Sequence, residues 1–178
     1  VKRFLTLEKW RQLGPEAGNQ AGLWALLLDC WQRDGAGFDH VGRLIVNSGQ
    51  PYAQVFRTLD RQVSGRFEPL PEGVYTPGPV EFASGIWGDY SQQFHEVQSP
   101  IWWTIYGPRS IGGHLDGNRR DSPGSAACVV YRTMDDLKTY VNWCEGDPYK
   151  MTSLWVNWHL GTVKYPAGLV IPPFPKAA

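Results

Sequence analysis

The chain has 178 residues, is 42% hydrophobic and balances 17 basic against 17 acidic side chains. It is long enough to bury one core, and it has no net field to draw it onto nucleic acid or an anionic membrane by charge. Its longest apolar run, Leu23 to Leu28, falls far short of the roughly 20 residues of a membrane-spanning helix.

The three cysteines cannot all pair within one chain, there is no C-x-x-C motif, and His40, His95, His114 and His159 are scattered. The expectation is therefore no disulfide framework, no metal and no cofactor. Val1 to Lys9 lacks the apolar centre and small-residue cleavage site of a signal peptide, so the chain is expected to be made without one or to have been trimmed. Twenty glycines, 14 prolines and nine tryptophans suit many short strands joined by turns rather than long helices.

In chain order, Phe4 to Gln12 alternates loosely. Leu23 to Gln32 has apolar residues on both alternating faces, which fits a strand buried on both sides or a buried helix, and the flanking Gly14-Pro15, Gly18-Asn19 and Asp34-Gly35 favour the strand. Gly42 to Ser48 is a β-branched run that stops at Gly49-Gln50-Pro51, a third strand. Tyr52 to Leu70 is polar and without period, a long connection. Glu72 to Pro79 reads as a strand between turns, and Ile101 to Tyr106 as an aromatic, β-branched one.

Val129 to Tyr131 continues in the same manner and precedes one helix. Thr133 is its N-cap, Asp135 and Asp136 favour the positive end of the dipole, and Met134, Leu137, Tyr140 and Val141 form its apolar stripe. The helix should end near Gly146-Asp147-Pro148. A last strand, Leu154 to Trp158, leads to a proline-rich tail that excludes regular pairing.

The chemistry concentrates in Ile111-Gly112-Gly113-His114-Leu115-Asp116, the polar loop from Gly117 to Pro123, and Gly124-Ser125-Ala126-Ala127-Cys128. One strand delivers a histidine, and a turn of small residues presents a cysteine at the start of the next. A thiol needs a base because the thiolate is the nucleophile, and His114 is the obvious partner for Cys128. The backbone N–H groups of Ala127 and Cys128 are candidates for an oxyanion hole. Ser125, Asp116 and backbone carbonyls all remain open as the group that orients the imidazole.

This segment resembles the L,D-transpeptidase (YkuD-type) signature, in which a glycine-flanked histidine precedes a serine-histidine-glycine-cysteine turn. Val46-Asn47-Ser48-Gly49 and Pro71-Glu72-Gly73-Val74-Tyr75-Thr76 resemble further motifs of that family, in the same order. Ala126 and Ala127 stand where the signature has histidine and glycine, and Val130 where it has arginine, which points to a divergent branch with altered substrate binding.

The resemblance implies a mainly β fold with one or two helices, an L,D-transpeptidase-like β-sandwich. It would be a single domain, with 1–22 as an N-terminal strand and turn extension, 23–160 as the catalytic core and 161–178 as a tail. It implies a cysteine-dependent enzyme acting on peptidoglycan stem peptides through a thioester, in the cell envelope or associated with phage. The alternative is a catalytically silent wall-binding or virion module on the same fold.

The expected catalytic set is Cys128, His114, Ser125, Ala127 and Asp116. The expected substrate-binding set is Trp103, Tyr106, Gly113, Arg119 and Arg120, with Arg119 or Arg120 holding a stem carboxylate. Trp102 and Trp103 must point to opposite faces of their strand, so one lines the cleft and the other packs inward. Trp87 is the aromatic expected at the surface.

Overall fold

The computed structural model describes residues 2–49, 68–82, 99–107, 111–117, 119–120, 124–145, 147 and 149–176. Most of the connection from Tyr52 to Leu70, and Trp87, lie outside these residues.

The strands are β1 (Arg3–Gln12), β2 (Trp24–Asp34), β3 (Gly37–Gly49), β4 (Gly73–Phe82), β5 (Ile101–Tyr106), β6 (Ile111–Leu115), β7 (Ser125–Tyr131) and β8 (Met151–Asn157). A short 3₁₀ segment, Pro15–Gln20, kinked at Gly18, joins β1 to β2, and the helix α1 spans Met134–Cys144. The fold is thus mainly β with two helical segments.

The strands close into one barrel in the order β1-β2-β3-β7-β6-β5-β4-β8. This corrects the sandwich expected from the resemblance. Closure comes from parallel pairing of β1 with β8, where Leu5 faces Leu154 and Leu7 faces Val156. Arg3–Gln12, expected as an extension outside the core, is consequently one of the staves. The other parallel pair is β6 with β7, and all remaining neighbours are antiparallel.

Period-2 alternation decides which residues fill the barrel. Leu5 and Leu7, Leu26 and Leu28, Leu44 and Val46, Trp103 and Ile105, Val129 and Tyr131, and Leu154 and Val156 all belong to the interior cluster. Helix α1 adds Leu137, Tyr140 and Trp143 to it, and Tyr140 stacks on Trp103 with ring centroids 4.5 Å apart. The Thr133 side chain accepts from the Asp136 N–H, the N-cap the sequence predicts, and Glu145 in the left-handed region ends the helix just before Gly146.

β2 is buried on both faces, as its sequence predicts, because the tail returns across the outer side of the β1-β2-β3 sheet. Arg43 donates to the carbonyls of Pro172 and Pro173, Trp10 to that of Pro175, and the Tyr165 hydroxyl to Glu8. The prolines keep this segment out of the ladder while their carbonyls still accept hydrogen bonds.

Candidate active site

Strands β5, β6, β7 and β3 set one row of side chains across the outside of the barrel. Trp102 is level with His114, His114 with Val130, and Val130 with Asn47. Stepping back from the paired Gly113 and Val129 brings Gly112 and Cys128 level, with Thr104 opposite Gly112. His114 and Cys128 are therefore diagonal neighbours on adjacent parallel strands, on the same side as Val130.

The two glycines before His114 follow from the two tryptophans. A Cβ at Gly112 would lie 2.0 Å from the Trp102 indole, and one at Gly113 would lie 2.1 Å from the Trp103 indole. One indole covers β6 from outside and the other from inside. Trp103 is 0% exposed in the barrel interior, so it is not a substrate contact, and Gly113 makes room for it rather than for a ligand. The indole beside the site is Trp102. It stacks on the His114 ring at 5.0 Å between centroids with planes 3° apart.

Only 2% of His114 is exposed. Its Nδ1 lies 2.8 Å from the carbonyl oxygen of Leu115, and since that oxygen can only accept, Nδ1 carries the proton. A backbone carbonyl therefore holds the ring, and among the described residues no hydrogen bond from Ser125 or Asp116 reaches Nε2. Nε2 is left as the unprotonated nitrogen, buried and without a hydrogen-bond partner among the described residues. Burial pushes the imidazole down to about 4, against a partial pull upward from the Leu115 carbonyl, so it is neutral at physiological pH.

Cys128 is half-buried and is not bridged to another cysteine. Its sulfur is not hydrogen-bonded to His114 Nε2, which has no partner among the described residues. The backbone in front of it is unusual. Ala127 has φ of 68°, the left-handed conformation that a glycine takes without strain, so the chain keeps a glycine-like turn without the glycine. The Ser48 hydroxyl donates to the Ala127 carbonyl at 3.1 Å and accepts from the Leu70 N–H at 2.8 Å. Across a trans peptide the N–H of Cys128 then points away from Ser48.

Asp116 does not touch the imidazole. Its Oδ2 accepts from the Gly124 N–H at 3.0 Å and from Arg119 Nη1 at 3.2 Å, so it ties the end of β6 to the turn that presents Cys128. Burial pushes its carboxyl up, and the Gly124 N–H and the Arg119 guanidinium pull it back. Ser125 is half-buried opposite Gly49 on β3, and its hydroxyl makes no hydrogen bond to His114.

Arg119, expected to meet a substrate carboxylate, is committed within the protein to Asn47 Oδ1 at 2.9 Å, Asp116 and Gln20. It brings a guanidinium to Asn47, the cross-strand neighbour of Val130. Arg120 is exposed, and its carbonyl accepts from Asn19.

Tyr106 lies on the same side of β5 as Trp102 and Thr104 and is 47% exposed, against 4% and 6% for those two. Accessibility thus rises from the buried His114 row past Cys128 toward Tyr106. Among the described residues no group of histidine, cysteine, aspartate and glutamate is arranged to hold a metal ion.

Asn47 and Ser48 lie beside the candidate pair and sequence reasoning assigned neither a role, while the adjacent indoles placed one of Trp102 and Trp103 at the cleft and the structure shows it to be Trp102. The sequence signal that could have found Asn47 and Ser48 is the polar end of an otherwise apolar β3. Comparison with protein-family models, with curated proteins and with solved structures finds no match.

Proposed function

We propose that this chain is a cysteine acyltransferase or hydrolase of L,D-transpeptidase type, acting on peptidoglycan stem peptides. One observation carries the reading: a half-buried thiol sits diagonally beside a buried, neutral imidazole whose Nδ1 is held by a carbonyl and whose Nε2 has no hydrogen-bond partner among the described residues. Two long-enough side chains turned toward each other across adjacent strands can come within hydrogen-bond reach.

In this mechanism Nε2 takes the Sγ proton as sulfur attacks the carbonyl carbon between the L-centre of a diamino acid and the following D-alanine. The Cys128 N–H, turned away from Ser48, faces the developing oxyanion. The imidazolium then protonates the leaving D-alanine nitrogen, and the C–N bond breaks to leave a thioester. An amine or water attacks the thioester, Nε2 takes its proton, and the sulfur leaves and is reprotonated. Transfer to an amine makes a cross-link, and transfer to water trims the stem. The depressed basicity of His114 favours concerted proton removal over a standing thiolate–imidazolium pair.

The deciding experiment is mass spectrometry of sacculi incubated with the wild type, Cys128→Ala and His114→Gln. The expected result is new or lost muropeptides with the wild type only. Binding to sacculi that survives Cys128→Ala, with an unchanged muropeptide profile, would instead make the chain a silent wall-binding module. A reactive Cys128 with no effect on sacculi would move the substrate outside peptidoglycan.

A further inference from the structure

The loop between His114 and Cys128 is fastened from outside the barrel strands. Asn19 in the 3₁₀ segment donates through Nδ2 to the carbonyls of both Arg119 and Arg120, the first of them 100 residues distant in sequence. Gln20 Oε1 accepts from Arg119 Nη2. The same guanidinium reaches β3 through Asn47, whose Nδ2 donates to the Trp24 carbonyl at the start of β2. Its third partner is Asp116, which holds the Gly124 N–H.

Gly124 in turn has φ of 91° and is pressed against β3, where an added Cβ would meet the Gly49 carbonyl oxygen at 2.1 Å. The turn that carries Cys128 thus has a steric seat on Gly49, a hydrogen bond from Ser48 at Ala127, and a polar tie through Asp116 at Gly124. The tie through Asp116 ends on Arg119.

We infer that Arg119 is a positioning residue that, braced by Asn19 and Gln20, fixes the Gly124-to-Cys128 turn and so the direction of the Cys128 N–H. This deepens the acyl-transfer reading of the site and, for its effect on turnover, rests on it. A planar guanidinium suits the task because one fork reaches partners on three elements at fixed angles, which a lysine cannot do. Removing it leaves the buried Asp116 carboxylate without its counter-charge, and protonating Asp116 in response weakens the charge-assisted hydrogen bond that Gly124 donates to it.

The test compares the wild type, Arg119→Met and the surface pair Asn19→Ala/Gln20→Ala in three measurements. These are amide hydrogen exchange across residues 124–130, muropeptide turnover, and alkylation of Cys128 by iodoacetamide, a reaction that needs no oxyanion donor. The expected result is exchange at the turn faster by about tenfold or more in Arg119→Met, smaller but present in the Asn19/Gln20 pair, and unchanged at Leu26 to Leu28 of β2. Turnover in Arg119→Met should fall by about a hundredfold, as a misdirected donor predicts, while KM and the alkylation rate stay within about threefold.

Turn exchange that matches the wild type in both variants overturns the inference. So does faster exchange spread over the whole barrel of Arg119→Met with the Asn19/Gln20 pair unchanged, because that is ordinary loss of stability. A wild type that processes no muropeptide defeats the acyl-transfer reading by itself, and the exchange comparison still decides whether Arg119 holds the turn.

Discussion

The indole of Trp102 and the imidazole of His114 lie face to face, their planes 3° apart and their centroids 5.0 Å apart. The ring so covered has lost its water, and burial holds it down to about 4, whereas an unfolded histidine titrates near 6.5. Between these values the unfolded chain carries the extra proton, so stability is full above about pH 6.5 and is lost as pH falls toward 4. The loss attributable to this group approaches about 3 kcal/mol. Denaturant midpoints measured from pH 4 to 7 should fall in the wild type and fall by that much less in His114→Gln. Parallel pH curves for the two proteins would mean that the imidazole is not held neutral.

The three thiols differ enough to separate them chemically. Burial pushes Cys30 up to about 12 and Cys144 up to about 11, and both lie in the core. At pH 8 even Cys144 is thiolate in only about 0.1% of molecules, and reagents reach it poorly. Iodoacetamide near neutral pH should therefore modify Cys128 at least about a hundredfold faster than either, and His114→Ala should slow that reaction. Peptide mapping of a labelling time course reads this directly. Equal rates at Cys128 and Cys144 would remove the nucleophile assignment.

Gly113→Ala is expected to destabilise the protein by about 3 kcal/mol, the upper end of what overpacking usually costs. The new methyl would lie 2.1 Å from the Trp103 indole, which cannot retreat because Tyr140 stacks on it. Adding Trp103→Leu should recover part of the loss, giving a coupling of at least about 1 kcal/mol in a double-mutant cycle. Additive effects in chemical denaturation would mean that the contact is not the reason for the glycine.

Much of this architecture can be read from local pattern. β2 follows from an apolar run between turn residues, β3 and β5 from β-branched and aromatic runs, and α1 from Thr133 and its apolar stripe. What cannot be read locally is closure, since the pairing of Leu5 with Leu154 joins segments whose separate patterns are complete without each other. Adjacent tryptophans announce opposite faces but not which of them is inside, so Trp103 was expected at the cleft that Trp102 lines.

Arg119 follows the same logic. Asn118-Arg119-Arg120-Asp121 has the composition of a solvated loop, and only the fold brings Asn47, Gln20 and Asp116 around one of its guanidinium groups. The His114 and Cys128 segments were visible because small residues and a histidine are unusual at the heart of apolar strands. The carbonyl that orients His114 was not visible, because every residue has one.

The last prediction concerns the alanine in front of the thiol. At φ of 68° Ala127 occupies a conformation that costs a residue with a Cβ about 1 kcal/mol, so Ala127→Gly should raise stability by about that amount. Ala127→Val should lower it by more, because a branched side chain fits that region worst. The direction of the Cys128 N–H depends on the Ser48 hydroxyl holding the Ala127 carbonyl, and Ala127→Gly leaves that contact in place. Turnover should therefore change little in Ala127→Gly and drop in Ser48→Ala, which strands both the Ala127 carbonyl and the buried Leu70 N–H. Melting curves and turnover measured together decide the matter. A stabilised Ala127→Gly that has lost activity would show that the strain itself, rather than the peptide direction it permits, is what the site requires.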